Sequence, residues 1–182
     1  MSWKILIERS NLTFSAAHFI TFEGECEPLH GHNYGVRVEA TGPLTADSYV
    51  LDFVVLKDVV RALCRDWDHR FLLPLRNPFL RVAERGDDWE IEYTGELEKL
   101  PNPPASAIRY VMPRWTVVPL PVDNVTAERL AERLAQGIVD ELRRRGVGEA
   151  LSSLTVGISE TEAQTAFYTL SLGESPPGAG AG

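Results

Sequence analysis

The order strand, strand, helix, helix, strand, strand predicts an α+β fold for this 182-residue chain. In it, two helices cover one face of an antiparallel four-stranded sheet, and a β-rich segment is inserted between the helices. Three observations point there. Residues 33–42, NYGVRVEATG, alternate, with Tyr34, Val36, Val38 and Ala40 on one side and Arg37 and Glu39 on the other. Two later stretches change to helical spacing: Leu56, Val59, Val60, Leu63 and Trp67, then Leu130, Leu134, Ile138 and Leu142. Two more strand-like runs, 151–158 and 165–172, follow the second helix.

Residues 3–15, WKILIERSNLTFS, read as a first strand interrupted near Ser10 and Asn11, and 33–42 as its antiparallel partner. Asp52 is a natural N-cap for a helix reaching Trp67, because its short carboxylate can accept from the free amides of the first turn. About residues 73–122 form the insertion, with prolines, the charged run ERGDDWE and the strand-like pieces WEIEYTG and AIRYVMPRWTVVPLP. Fifty structureless residues would be uncommon in a compact domain, so the segment reads as an added β-hairpin with irregular flanks. Its aromatics Trp89, Tyr93, Tyr110 and Trp115 suit a satellite core, an oligomer contact or a lid, the core being the simplest. The second helix starts at Asn124 or Thr126 and ends on Arg143, Arg144 and Arg145 before Gly146. Those arginines suit a helix C-terminus as well as they suit a phosphate. Residues 1–173 read as one domain, and 174–182 have the composition of a disordered tail.

With 26 acidic against 18 basic residues and a net charge of -8, the chain offers no general surface for nucleic acid or anionic membrane. A local basic cluster around a phosphorylated substrate remains compatible with that charge. Two cysteines make no disulfide framework, no run has membrane-spanning length, and MSWKILIERS lacks a continuous apolar region. The expected setting is the reducing cytoplasm.

Chemistry concentrates in histidine. Of four copies, His18, His30 and His32 fall within residues 14–34, and His69 follows Asp68. His30 and His32 straddle one glycine, so on a strand both imidazoles share a face. With His18 folded beside them, three neutral nitrogens could meet on one metal with a fourth position open, the pattern of catalytic zinc. The plainer reading is a His-x-His pair packing at a strand edge. Cys26, four residues before His30, suits a fourth ligand, an inert apolar residue or a thiolate with a lowered pKa. Asp68 and His69 stand where the first helix ends, as a solvated terminus or a proton-transfer pair. Glu160 continues the inward parity of Leu154, Val156 and Ile158, and there it would need a partner unless the strand has already ended.

FSAAH followed by CEPLHGHNY, then VLDFVVLK, DH, NVTAERLA and SETEAQTAFY in that order resemble the 6-pyruvoyltetrahydropterin synthase and 6-carboxytetrahydropterin synthase family. The resemblance implies the tunnelling fold, in which sheets join edge to edge into a barrel, two trimers stack as a hexamer, and sites lie at subunit boundaries. It implies Zn2+ on His18, His30 and His32, Cys26 as a thiolate base, and His69 oriented by Asp68 as a proton donor or relay. It also implies Glu160 on the amino-pyrimidinone edge of a pterin, with Thr126 in substrate binding. The substrate would be 7,8-dihydroneopterin triphosphate. The three-residue spacer in Cys-x-x-x-His-Gly-His is similar to the branch that ends at 6-carboxytetrahydropterin, toward queuosine; the other branch ends at 6-pyruvoyltetrahydropterin. The insertion departs from the family's short bacterial members. A pterin-binding or zinc-dependent assembly module without turnover is the alternative of another class, and it would need none of Cys26, Asp68 and His69.

Overall fold

A computed structural model describes residues 2–8, 12–100 and 103–173. The strands are β1 (Trp3–Ile7), β2 (Thr13–His18), β3 (Thr21–Phe22), β4 (Glu25–Cys26), β5 (His30–Gly42), β6 (Arg70–Pro74), β7 (Leu80–Arg85), β8 (Asp88–Tyr93), β9 (Arg109–Pro113), β10 (Val117–Leu120), β11 (Ser153–Thr161) and β12 (Gln164–Ser171). The helices are α1 (Phe53–Trp67) and α2 (Ala127–Arg144). The expected tail, 174–182, and the expected interruption at Ser10 and Asn11 lie outside the described residues.

The expected first strand is two strands, and both pair antiparallel with β5: β1 along residues 38–42 and β2 along 30–35. On its other side β5 pairs with β11, which pairs with β12. The main sheet holds seven strands rather than the four expected, in the order β10-β6-β2-β5-β11-β12 with β1 also beside β5. The split of the expected first strand adds one, and β6 and β10, at the two ends of the segment expected as an insertion, add the other two. β6 joins β2 in parallel directly after His69, and β10 joins β6 in parallel. Phe71, Leu72 and Leu73 are buried consecutively because β6 is covered on both faces, so it carries no alternation to read. The middle of the segment expected as an insertion is a three-stranded meander, β7-β8-β9, rather than a hairpin.

Both helices cover one face. Asp52 accepts from Val54 N at 2.7 Å and starts α1, which buries Leu56, Val59, Val60, Cys64 and Trp67. Thr126 Oγ accepts from Arg129 N and starts α2, whose buried stripe is Leu130, Leu134, Ile138 and Leu142 with Ala131, Ala135 and Val139. Gly146, at φ +66°, ends it: Gly146 N donates to Arg143 O and Val147 N to Leu142 O, the two bonds of a Schellman turn. Arg144 and Arg145 clasp Glu141, so helix termination accounts for both without a phosphate. Against these helices pack Phe14, Ala16, Tyr34, Val36, Val38, Ala40, Leu154, Val156 and Ile158.

A second core lies between the main sheet and the meander: Phe19, Cys26, Phe71, Leu73, Trp89, Ile91, Tyr93, Leu100 and Val117. Trp89 and Tyr93 are buried in it and Tyr110 packs against it, as the satellite-core reading expects. Trp115 is 78% exposed and takes no part.

Candidate metal centre

The rows that form the helix-side core run on past the helices and end in histidine. On β2 the row is Phe14, Ala16, His18; on β5 it is Val36, Tyr34, His32, His30. His18 and His30 are directly paired across the strands, so the register delivers two imidazoles side by side and period two adds the third. One ring nitrogen from each of His18, His30 and His32 lies within 4.8 Å of the others. Gly31 separates the two β5 histidines because a Cβ there would stand 2.8 Å from the carbonyl oxygen of Ala16, which backbone cannot yield.

The rings are held by their outer nitrogens. His18 Nδ1 donates to Val125 O at 2.9 Å, and His30 Nδ1 to Pro28 O at 2.9 Å, which leaves each Nε2 as the lone-pair side. Tyr34 O–H then donates to His18 Nε2 at 3.3 Å. Burial pushes the His18 pKa down to about 4, against a smaller opposing effect of the Val125 bond, and the neighbouring imidazoles lower it further. A neutral, buried imidazole is what a cation requires of its ligand. Three nitrogen donors with no thiolate among them fit zinc with one position free for substrate.

The other residues singled out stand around this group rather than in it. Asp68 closes α1 and accepts from Ser15 N (2.7 Å) and His69 Nδ1 (2.9 Å), while His69 N donates to Ser15 O (2.6 Å). These bonds hold His69 at φ +57°, a conformation that costs a non-glycine residue about 1–3 kcal/mol. The Ser15 amide, foremost, and His69 hold the Asp68 carboxyl below its ordinary value. His69 and His32 line a cleft of about 510 Å³ with Ser15, Asn33, Arg70 and, from the insertion, Met112 and Thr116. That volume lies in the range of small-molecule sites. The lining draws on both parities of β2 and β5, with Ser15, Ala17, Gly31 and Asn33 on one and Ala16 with the candidate ligand His32 on the other.

Glu160 sits at an irregularity of β11, between Ser159 and Thr161, where pairing with β12 slips. Its charge reaches the Tyr34 hydroxyl, whose pKa is raised first by burial and then by Glu160. Thr126 spends its hydroxyl on the α2 cap, next to the Val125 carbonyl that holds His18. Cys26 lies outside the convergent group, in the apolar second core, with Sγ donating to Glu27 O at 3.5 Å. Burial, then Glu27, push its thiol up to about 11, the direction opposite to a resting thiolate. Sequence reasoning passed over Glu27. Its carboxylate lies 4.0 Å from His30 Nε2, half-exposed, and the available signal was an acid three residues before a candidate ligand.

The family described as 6-pyruvoyl tetrahydropterin synthase matches residues 7–171. A protein of Methanocaldococcus jannaschii assigned as a 6-carboxy-5,6,7,8-tetrahydropterin synthase is 29% identical over 160 residues, 87% of this chain and 90% of its own. One of Pyrococcus horikoshii with the same assignment is 29% identical over 177 residues, 94% and 97% of the two chains. Among solved structures, 6-pyruvoyltetrahydropterin synthase of Plasmodium vivax, in a variant with a catalytic glutamate replaced by alanine, superposes with a TM-score of 0.82 at 27% identity, covering 94% of this chain and 99% of that one.

Proposed function

The chain belongs to the 6-pyruvoyl tetrahydropterin synthase family of enzymes, and from that premise we propose that it converts 7,8-dihydroneopterin triphosphate and one water to 6-carboxy-5,6,7,8-tetrahydropterin, triphosphate and acetaldehyde. The observation that supports this most is the convergence of His18, His30 and His32, with His18 and His30 anchored through Nδ1 to backbone carbonyls. Zinc held there would polarise the side-chain oxygens of the substrate. Glu160 would accept two parallel hydrogen bonds from the pterin edge, with Thr126 nearby at the start of α2. His69, oriented through Nδ1 by Asp68, would donate or relay a proton.

Two adjacent residues are candidates for the base. Cys26 occupies the motif position that the resemblance assigns, but its thiol is buried and its pKa raised. Glu27 presents an exposed carboxylate beside His30, and a glutamate is the catalytic residue named for the Plasmodium vivax enzyme. Geometry favours Glu27. The same likeness favours a second reading, formation of 6-pyruvoyltetrahydropterin. Incubation with 7,8-dihydroneopterin triphosphate and identification of the product by mass tests both; recovery of unchanged substrate would contradict both.

The working unit is proposed to be a homo-oligomer, a hexamer of two trimers in the cytoplasm. By the family resemblance, the cleft that carries His69 and the candidate ligand His32 would lie at a subunit boundary. Trp3, at 55% exposure, and the terminal strands β10 and β12 also offer surface for assembly. Among the described residues no helix is long and apolar enough to cross a membrane.

A further inference from the structure

Between His18 and His30 the chain leaves the main sheet, and the insertion holds this excursion. Tyr93 O–H donates to Gly24 O, and Cys26 packs among Trp89, Ile91 and Tyr93. At its start lies a buried polar cluster that neither the fold nor the proposed chemistry uses. Asn77, 6% exposed, donates from Nδ2 to Thr21 Oγ1 (2.7 Å) and to Asp123 O (2.8 Å), and its Oδ1 accepts from Phe79 N (3.0 Å). Asn124 in turn donates from Nδ2 to Thr21 O (2.8 Å) and accepts at Oδ1 from Thr21 N (3.3 Å) and Val125 N (3.2 Å). Three segments distant in sequence are thereby fixed to one another: 18–21, 77–79 and 123–125.

Those segments include both ends of the bond that orients His18. The imidazole is three residues before Thr21, and its acceptor, Val125 O, belongs to the residue after Asn124. We propose that Asn77 is a positioning residue of the metal centre: by tying Thr21 to the Asp123 carbonyl it sets Val125 O against His18 Nδ1, and so aims Nε2 at the metal. Asparagine suits the place because one planar amide supplies two donors and an acceptor; aspartate would set acceptors against the Asp123 carbonyl, and alanine would leave buried groups unpaired. The insertion thus has a function at the metal centre, as well as a wall on the cleft. This rests on the reading of His18, His30 and His32 as ligands.

The test is zinc affinity by competition with a chelator, with unfolding midpoints of the metal-free and zinc-loaded protein. Outer partners of metal ligands typically contribute 10–100-fold in affinity. Folded Asn77→Ala is expected to bind zinc about tenfold more weakly, narrowing the gap between the two midpoints. A purely structural Asn77 would lower both midpoints equally and leave affinity unchanged, and that result overturns the proposal. Should Asn77→Ala not fold, Thr21→Val removes one bond of the cluster while keeping both backbone bonds to Asn124, and unchanged affinity there also overturns it. Wild-type protein that binds no zinc would instead remove the ligand reading on which the proposal rests.

Discussion

The two faces of β6 are packed in different ways. Leu72 faces the helices and joins a core drawn from α1, α2, β2, β5 and β11, apolar up to the histidines at its end. Phe71 and Leu73 face the meander and join a smaller core that includes Phe19 and Cys26, with Thr21, Asn77 and Asn124 bonded alongside. Stability and site geometry are therefore supported from opposite sides. The helix face holds most of the buried apolar side chains and sets the strand register that pairs His18 with His30, whereas the meander face holds the segment that must leave the sheet between them. Lesions on the two faces should be separable by measurement.

The largest effect is expected at the excursion itself. General acid-base groups contribute roughly 10²–10⁴ in rate. If Glu27 is the base, Glu27→Gln loses turnover by such a factor while its unfolding midpoint stays near wild type, and Cys26→Ala keeps most of its activity. The reverse pattern in steady-state kinetics would return the role to Cys26. Next, on the helix face, Leu134→Ala empties a position only 1% exposed and should cost about 2–5 kcal/mol in denaturant unfolding. Zinc affinity of the folded variant should be unchanged; a parallel loss of affinity would mean that the two faces are not independent.

The smallest effect concerns Asp68, whose carboxyl is held below its ordinary value of 3.8 by the Ser15 amide and His69. A depressed folded pKa stabilises the protein above the unfolded value and loses that contribution as pH falls through the folded one. Asp68→Asn should therefore be less stable than wild type near neutrality, with the gap closing below about pH 3.8. Urea unfolding at a series of pH values measures it, and a gap constant with pH would contradict the assignment.

What could be read from residues alone follows the same division. β5, α1 and α2 declare themselves because one face of each is buried and the other is wet, so their periods survive in the sequence. The histidines are legible because His-x-His on a strand needs no distant information. β6 hides because both its faces are covered, and its partner β10 enters 46 residues later, as Val117 beside Phe71. The surroundings of Cys26 depend on Trp89 and Ile91, and the orientation of His18 on Val125, 107 residues away. Asn77 meets Thr21 across 56 residues. An asparagine among prolines reads as a turn, which it also is, since its Oδ1 accepts from Phe79 N.

The claim on which the rest stands is that His18, His30 and His32 together hold one metal ion. Metal analysis of the purified protein beside His32→Ala and Cys26→Ala tests it most directly. One zinc per chain in wild type and in Cys26→Ala, with loss in His32→Ala while its circular dichroism stays native, is the predicted result. Zinc retained by His32→Ala and lost from Cys26→Ala would contradict it.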